Sequence, residues 1–248
     1  MQEATFEASI KELEEIVKSG STKCQEYKQE ILRSKEFLFK EFVTSGRLYD
    51  NCLKIAENKP TKISSQLSHA LALLSGETPA ELQESFIAAL NDMDILLPDL
   101  YMHYFIFEAM HKFSQNEAAL ERIRKFWGKC ILTGHSTLYE FCLYQFGHSV
   151  NHAASLCHAF GSSPIIFFQK VILGVEALTP GFQEFAFKPD LLDLEFAKGR
   201  VPTPQGDIFI ELYKEKGKII AQIDIPFDCK AILQNGTKLN YGKHKLML

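Results

Sequence analysis

Two hydrophobic periods divide the chain. As far as about Leu178 apolar residues return at helical spacing; beyond it they alternate. Phe6, Ile10, Leu13 and Val17 share one helical face, with Thr5 placed to cap and Gly20 to stop. Ser21 then caps a second helix carrying Cys24, Tyr27, Ile31, Leu38 and Phe42, and Gly46 to Pro60 reads as a break. A third helix is expected from about Lys62 to Leu74, ended by Gly76. Thr78-Pro79-Ala80-Glu81 reads as a capping box with proline at the first helical position, ahead of Leu82, Phe86 and Leu90. Pro98 opens a fifth helix through Phe113, and Ser114-x-x-Glu117 a sixth through Leu120, Ile123 and Trp127. A polar stretch from Gly134 to Gly161 follows, then an apolar helix from Pro164 to Leu173, ended by Gly174.

Past Leu178-Thr179-Pro180-Gly181-Phe182 the period falls to two. Phe185 and Phe187, then Ile208, Ile210 and Leu212, then Ile219, Ala221, Ile223 and Ile225 each mark a half-buried strand. Lys214 to Lys218, with Gly217, and Asn235-Gly236 read as hairpin turns. The pattern predicts a mainly α chain with a β-domain: helical hairpins over 1–178, then a small antiparallel β-domain over 179–248.

Composition narrows the function classes. A hydrophobic fraction of 46% with 23% charged residues suits a folded domain, and a net charge of −4 argues against a broad nucleic-acid surface. Twenty Phe against one Trp implies an aromatic-rich core. The six cysteines form no C-x-x-C pair, which favours reduced thiols over disulfides or structural zinc. No segment reaches the length of a membrane span, and Met1 to Lys18 lacks the order of a secretory signal. A cytoplasmic location is expected, unless the true N-terminus is missing.

Several motifs carry a family resemblance. Gly174-Val175-Glu176-Ala177-Leu178-Thr179-Pro180-Gly181-Phe182 resembles the junction between barrel and terminal β-domain in bacterial α-L-rhamnosidase-type glycoside hydrolases. Lys188-Pro189, followed by Gly199-Arg200-Val201-Pro202-Thr203-Pro204-Gln205-Gly206, is similar to a "G-x-V-x-T-P-x-G" pattern between strands of those enzymes. Ser65-Gln66-Leu67 into Ala70-Leu71-Ala72, and Tyr101 to Ala109, resemble two of their barrel helices. Trp127 through Glu140 resembles their catalytic-base loop, and Ser155-Leu156-Cys157-His158 with Ser163-Pro164 the segment after it. The resemblance runs from about Gly46 to Val201. It implies the late helices of a six-hairpin α/α barrel followed by a small antiparallel β-sandwich.

The resemblance assigns Glu140 as the base of an inverting hydrolysis and His158 as a sugar contact. Such a reaction needs a carboxylate to activate water and a protonated acid to serve the leaving oxygen. Glu140 lies among Tyr139, Phe141, Cys142 and Tyr144, a setting expected to raise its pKa by desolvation. His158 is equally readable as a structural histidine, and with His148 and His152 as a metal cluster; the spacing lacks an H-E-x-x-H pattern, so no metal and no cofactor is expected. Tyr101 and Trp127 are candidate sugar-stacking platforms, although aromatics at helical spacing also build cores. Asn151 offers only amide chemistry.

The departure from the family lies in the acid. Its members carry an acidic motif with arginine in the first half of the barrel; Asn91-Asp92-Met93-Asp94 lacks the arginine, and Asp99 reads as flanking a helix start. The pattern supplies roughly seven helices, too few to close the barrel. The expectation is a truncated or split α-L-rhamnosidase-like hydrolase, inactive or weak alone, acting on a rhamnose-containing glycan or glycoside. Its apolar flank would be covered by a missing barrel half or by a second copy. A non-catalytic carbohydrate-binding or structural remnant is one alternative, and an unrelated helical interaction protein another.

Overall fold

The computed structural model describes residues 22–48, 50–54, 59–132, 134, 136–140 and 155–248; the helix expected from Thr5 to Gly20 lies outside them. Helix α1 spans Thr22–Phe42. Tyr27, Ile31, Leu32 and Phe37 on it are exposed, while Phe39 and Phe42 pack on the core.

The break expected from Gly46 to Pro60 is instead two hairpins. Strands β1 (Val43–Thr44) and β2 (Arg47–Leu48) are joined through Ser45 and Gly46 at φ 52° and 74°, the left-handed pair a tight hairpin turn requires. The buried Leu48 is pinned from both sides of its backbone. Its N–H donates to His69 Nε2 at 3.0 Å, and its carbonyl accepts from Ser64 Oγ at 2.9 Å. Strands β3 (Asp50–Lys54) and β4 (Lys59–Ile63) form the second hairpin.

Taking Lys62 and Ile63 into β4 delays helix α2, Gln66–Ser75, relative to the expected start. Ser65 Oγ accepts from the Ser68 N–H, and Gly76 at φ 75° ends the helix. Helix α3 spans Ala80–Ala89 without the expected capping box: Pro79 is itself the cap residue, and Thr78 Oγ1 is buried with no hydrogen-bond partner among the described residues. Helix α4, His103–Lys112, begins five residues past Pro98 because Leu100 to Met102 are taken up in a turn. Helix α5, Asn116–Phe126, also starts late; Ser114 turns the chain at φ 57° and caps nothing. A short α6 (Gly128–Leu132) and a 3-10 turn (Ala159–Ser162) precede α7, Pro164–Phe167, which runs on as one π-helical turn to Ile172. Helix α4 is the centre of this half: it packs on α2, α5 and α7 and buries Ile106, Phe107, Ala109 and Met110.

Gly174 turns the chain into the sheets at φ 69°, where a side chain would sit 2.1 Å from Pro189 N. The strands are β5 (Val175–Ala177), β6 (Glu184–Phe187), β7 (Phe196–Thr203), β8 (Gly206–Glu215), β9 (Lys218–Ile225), β10 (Lys230–Leu233), β11 (Lys238–Leu239) and β12 (Gly242–Met247). They make two four-stranded sheets, ordered β11-β10-β6-β5 and β12-β9-β8-β7. Strand β5 therefore joins the first sheet ahead of Thr179. Pairing is antiparallel except between β6 and β10, which run parallel, a departure from the antiparallel expectation. The β8–β9 turn falls at Lys216-Gly217, at φ 50° and 79°, and Asn235-Gly236 lies in the β10–β11 turn.

Phe185, Phe187 and Ala231 of one sheet share a buried cluster with Ile208, Ile210, Leu212 and Ile223 of the other, and with Phe107 and Phe167 of the helices. Gly199 shows how close the halves lie: a Cβ there would meet Leu173 Cδ1 at 2.4 Å.

Candidate active site

Three segments meet beside the N-terminus of α4: residues 98–103, 137–140 and 155–163. The second and third run antiparallel. The Glu140 N–H donates to Ser155 O at 3.0 Å, the His158 N–H to Leu138 O at 2.8 Å, and Thr137 Oγ1 to Leu156 O at 2.7 Å. The first is tied to the third by Ser163 Oγ, which donates to Leu100 O at 2.9 Å.

Glu140 is half-buried at this junction. Its Oε2 accepts the Ser155 N–H at 3.0 Å, and Oε1 stands 4.0 Å from His158 Nε2. The backbone donor fixes the rotamer and leaves the second oxygen turned towards the imidazole. His158 Nδ1 is buried and has no hydrogen-bond partner among the described residues. The rings of Tyr101 and His158 lie 6.3 Å apart, and Phe160, largely exposed, lies 5.3 Å from His158 and 6.3 Å from Tyr101. Glu140, His158 and Tyr101, far apart in sequence, thus form one surface.

Trp127 does not join them, and its reading as a stacking platform is corrected. It is 4% exposed, packed against His103, Phe107 and Phe126, and its Nε1–H donates to Gly161 O at 2.6 Å. Both ring faces are taken by protein, and the indole anchors the 3-10 turn behind His158. Gly161 is needed there for a second reason: a Cβ would lie 2.6 Å from Tyr139 O. Asn151, His148 and His152, with Phe141, Cys142 and Tyr144, lie outside the described residues.

Two further residues belong to the surroundings. Asp99, half-buried, has its carboxyl held above the usual range, first by burial and then by the charge of Glu140. His103 is fully buried. Its pKa is lowered to about 3 by desolvation first and then by Arg122, so the ring is neutral, and Nδ1–H donates to Asp99 O at 2.9 Å. The sequence gives little sign of either role, since Asp99 reads as a helix flank and His103 as one polar residue in an aromatic run.

Helical hairpins passing through a glycine junction into two stacked sheets define the class: the α/α-barrel-plus-β-domain architecture of the rhamnosidases. Residues 174–245 match the bacterial alpha-L-rhamnosidase C-terminal domain. An alpha-L-rhamnosidase of Alteromonas sp. (strain LOR) is 26% identical over 197 residues, which are 75% of this chain and 21% of that protein. In fold, the GH78 rhamnosidase of Bacillus sp. GL1 superposes with a TM-score of 0.69 at 23% identity, over 82% of this chain and 22% of the other. The Aspergillus terreus alpha-L-rhamnosidase gives 0.69 at 17% identity, over 91% and 27%. The Streptomyces avermitilis alpha-L-rhamnosidase, solved with L-rhamnose, gives 0.68 at 13% identity, over 91% and 24%. The chain is similar to α-L-rhamnosidase-type proteins, as its motifs imply, and it spans about a fifth of the length of the first of these relatives.

Proposed function

We propose that the chain supplies the base side of an inverting α-L-rhamnosidase-like site, with Glu140 activating the attacking water. The observation that carries this reading is the setting of Glu140: a half-buried carboxylate with one oxygen fixed by the Ser155 N–H, beside an imidazole that the rings of Tyr101 and Phe160 approach. His158 donates to or accepts from a sugar hydroxyl, and the Tyr101 ring packs on the sugar's apolar face. The substrate class is a rhamnose-containing glycan or glycoside, in keeping with the L-rhamnose complex of the Streptomyces relative.

The protein works together with an acid-bearing half of the barrel, whichever chain carries that half. Its hairpins, up to residue 178, and its β-domain, from 179 and sharing β5 across that division, need the acid-bearing half of the barrel. That half also covers the exposed apolar flank of α1. An inverting site places the acid about 6.5–9.5 Å from the base, and loss of an acid costs a factor of about 10²–10⁴.

The purified chain should therefore hydrolyse a natural α-L-rhamnoside very slowly or not at all. On an aryl rhamnoside, whose leaving group needs less protonation, a faint rate is expected that disappears in Glu140→Gln. Robust turnover of the natural substrate would contradict the split-site reading, and an aryl rate indifferent to Glu140→Gln would remove Glu140 as the base.

A further inference from the structure

We propose that Asp99 is a sugar-binding residue of the Glu140 site, its carboxylate accepting hydrogen bonds from neighbouring hydroxyls of a ring seated against Tyr101. The inference rests on the reading of Glu140 above and adds a residue to that site.

Placement comes first. The turn bearing Asp99 is held on three sides: His103 Nδ1–H bonds the Asp99 carbonyl, Ser163 Oγ bonds the Leu100 carbonyl, and the Tyr101 ring lies 6.3 Å from both His158 and Phe160. The first tie is the firmest, because His103 is enclosed by Phe107, Phe126 and Trp127 and stays neutral. These contacts fix the backbone two residues from Tyr101, and the Asp99 carboxyl lies near enough to Glu140 to feel its charge.

Chemistry follows. Several other half-buried carboxylates here have a cation: Asp92 has Arg47, Glu108 has Lys170, and Asp207 has Arg200. Asp99 has neither an ion pair nor a side-chain hydrogen bond among the described residues, and the charge that acts on it is the negative one of Glu140. Desolvating a carboxylate beside another without compensation is costly, and such arrangements concentrate where a ligand supplies the missing donors. Hydroxyls of a neutral sugar are suitable donors. Two adjacent ones match the two oxygens of a carboxylate, while Tyr101 and the exposed Phe160 offer the flat apolar surface that a ring's C–H face requires.

The test is titration of the full chain with L-rhamnose and its monodeoxy analogues, followed by NMR in the presence of a chelator. Asp99→Ala should weaken L-rhamnose binding about tenfold or more, and Asp99→Asn, which keeps the shape and an acceptor, by less. One analogue, lacking a hydroxyl that Asp99 takes, should bind wild type and Asp99→Ala alike. Unchanged affinity in Asp99→Ala, with binding lost in Glu140→Gln and His158→Ala, would overturn the role of Asp99 and leave the reading of Glu140 standing. An equal penalty for every analogue, or binding that appears only when calcium is added back, would overturn direct contact. No binding of L-rhamnose by the wild-type chain would overturn both.

Discussion

The β-domain and the Glu140 region are held by different kinds of force. In the sheets, long antiparallel ladders join β7, β8, β9 and β12, and their inner side chains interlock in one buried cluster. The 137–140 and 155–163 segments have no assigned strand. They keep their places through single ties: Ser163 to Leu100, Trp127 to Gly161, Glu140 to Ser155. Many redundant contacts give the sheets stability. A few directed bonds give the site its geometry. A residue can therefore be essential to one region and nearly silent in the other.

The sharpest way to break this comparison is to remove a ring from the shared core. Phe187, 1% exposed, should cost about 3–5 kcal/mol as Phe187→Ala, read as a lower urea midpoint with an unchanged slope. A loss under about 1 kcal/mol would mean that the sheets are not the stabilising half.

Trp127→Phe should cost less, about 1–3 kcal/mol, since packing is largely kept while the buried Gly161 carbonyl loses its donor. Its larger consequence should be local: altered amide shifts at His158 and Phe160, with the sheet resonances unmoved. Equal disturbance of both regions would show that the indole holds the whole fold.

A more gradual effect is expected from pH. His103 has a folded pKa lowered to about 3, below the ordinary value near 6.5, so its neutral burial favours the fold fully only above about pH 6.5. As pH falls from there towards 3 the unfolded chain takes up a proton that the folded chain refuses. Stability should then fall, by up to about 1.4 kcal/mol per pH unit from this group. Denaturant curves of wild type and His103→Gln between those limits isolate its share, and identical pH slopes would remove the histidine from the account.

Legibility in the sequence follows the same division. The alternation of Ile208, Ile210 and Leu212, and the turns at Lys216-Gly217 and Asn235-Gly236, are local signals, and the strands form where they fall. The parallel β6–β10 pair escapes because it joins segments over forty residues apart in the chain, which no local period encodes. Helix starts drift for a related reason. Ser65 caps α2 once Ile63 enters a strand, and the Thr78 and Ser114 capping boxes yield to turns set by neighbouring elements. At the site, motif order brings out Glu140, His158 and Tyr101, which stand together here. Trp127 misleads, because a ring in a helical run looks alike whether it faces the core or a ligand. Asp99 is hidden because its distinguishing feature, a half-buried carboxylate lacking a cation, is a property of three dimensions.

The most direct test of the central claim is to map L-rhamnose onto the assigned amide spectrum of the intact chain. The account predicts shifts at Tyr101, Glu140, Ser155 and His158, and their loss in Glu140→Gln. The result that would contradict it is a set of shifts confined to the outer sheet groove, lined by Phe209, Gln222 and Lys243, with the Glu140 segment unmoved.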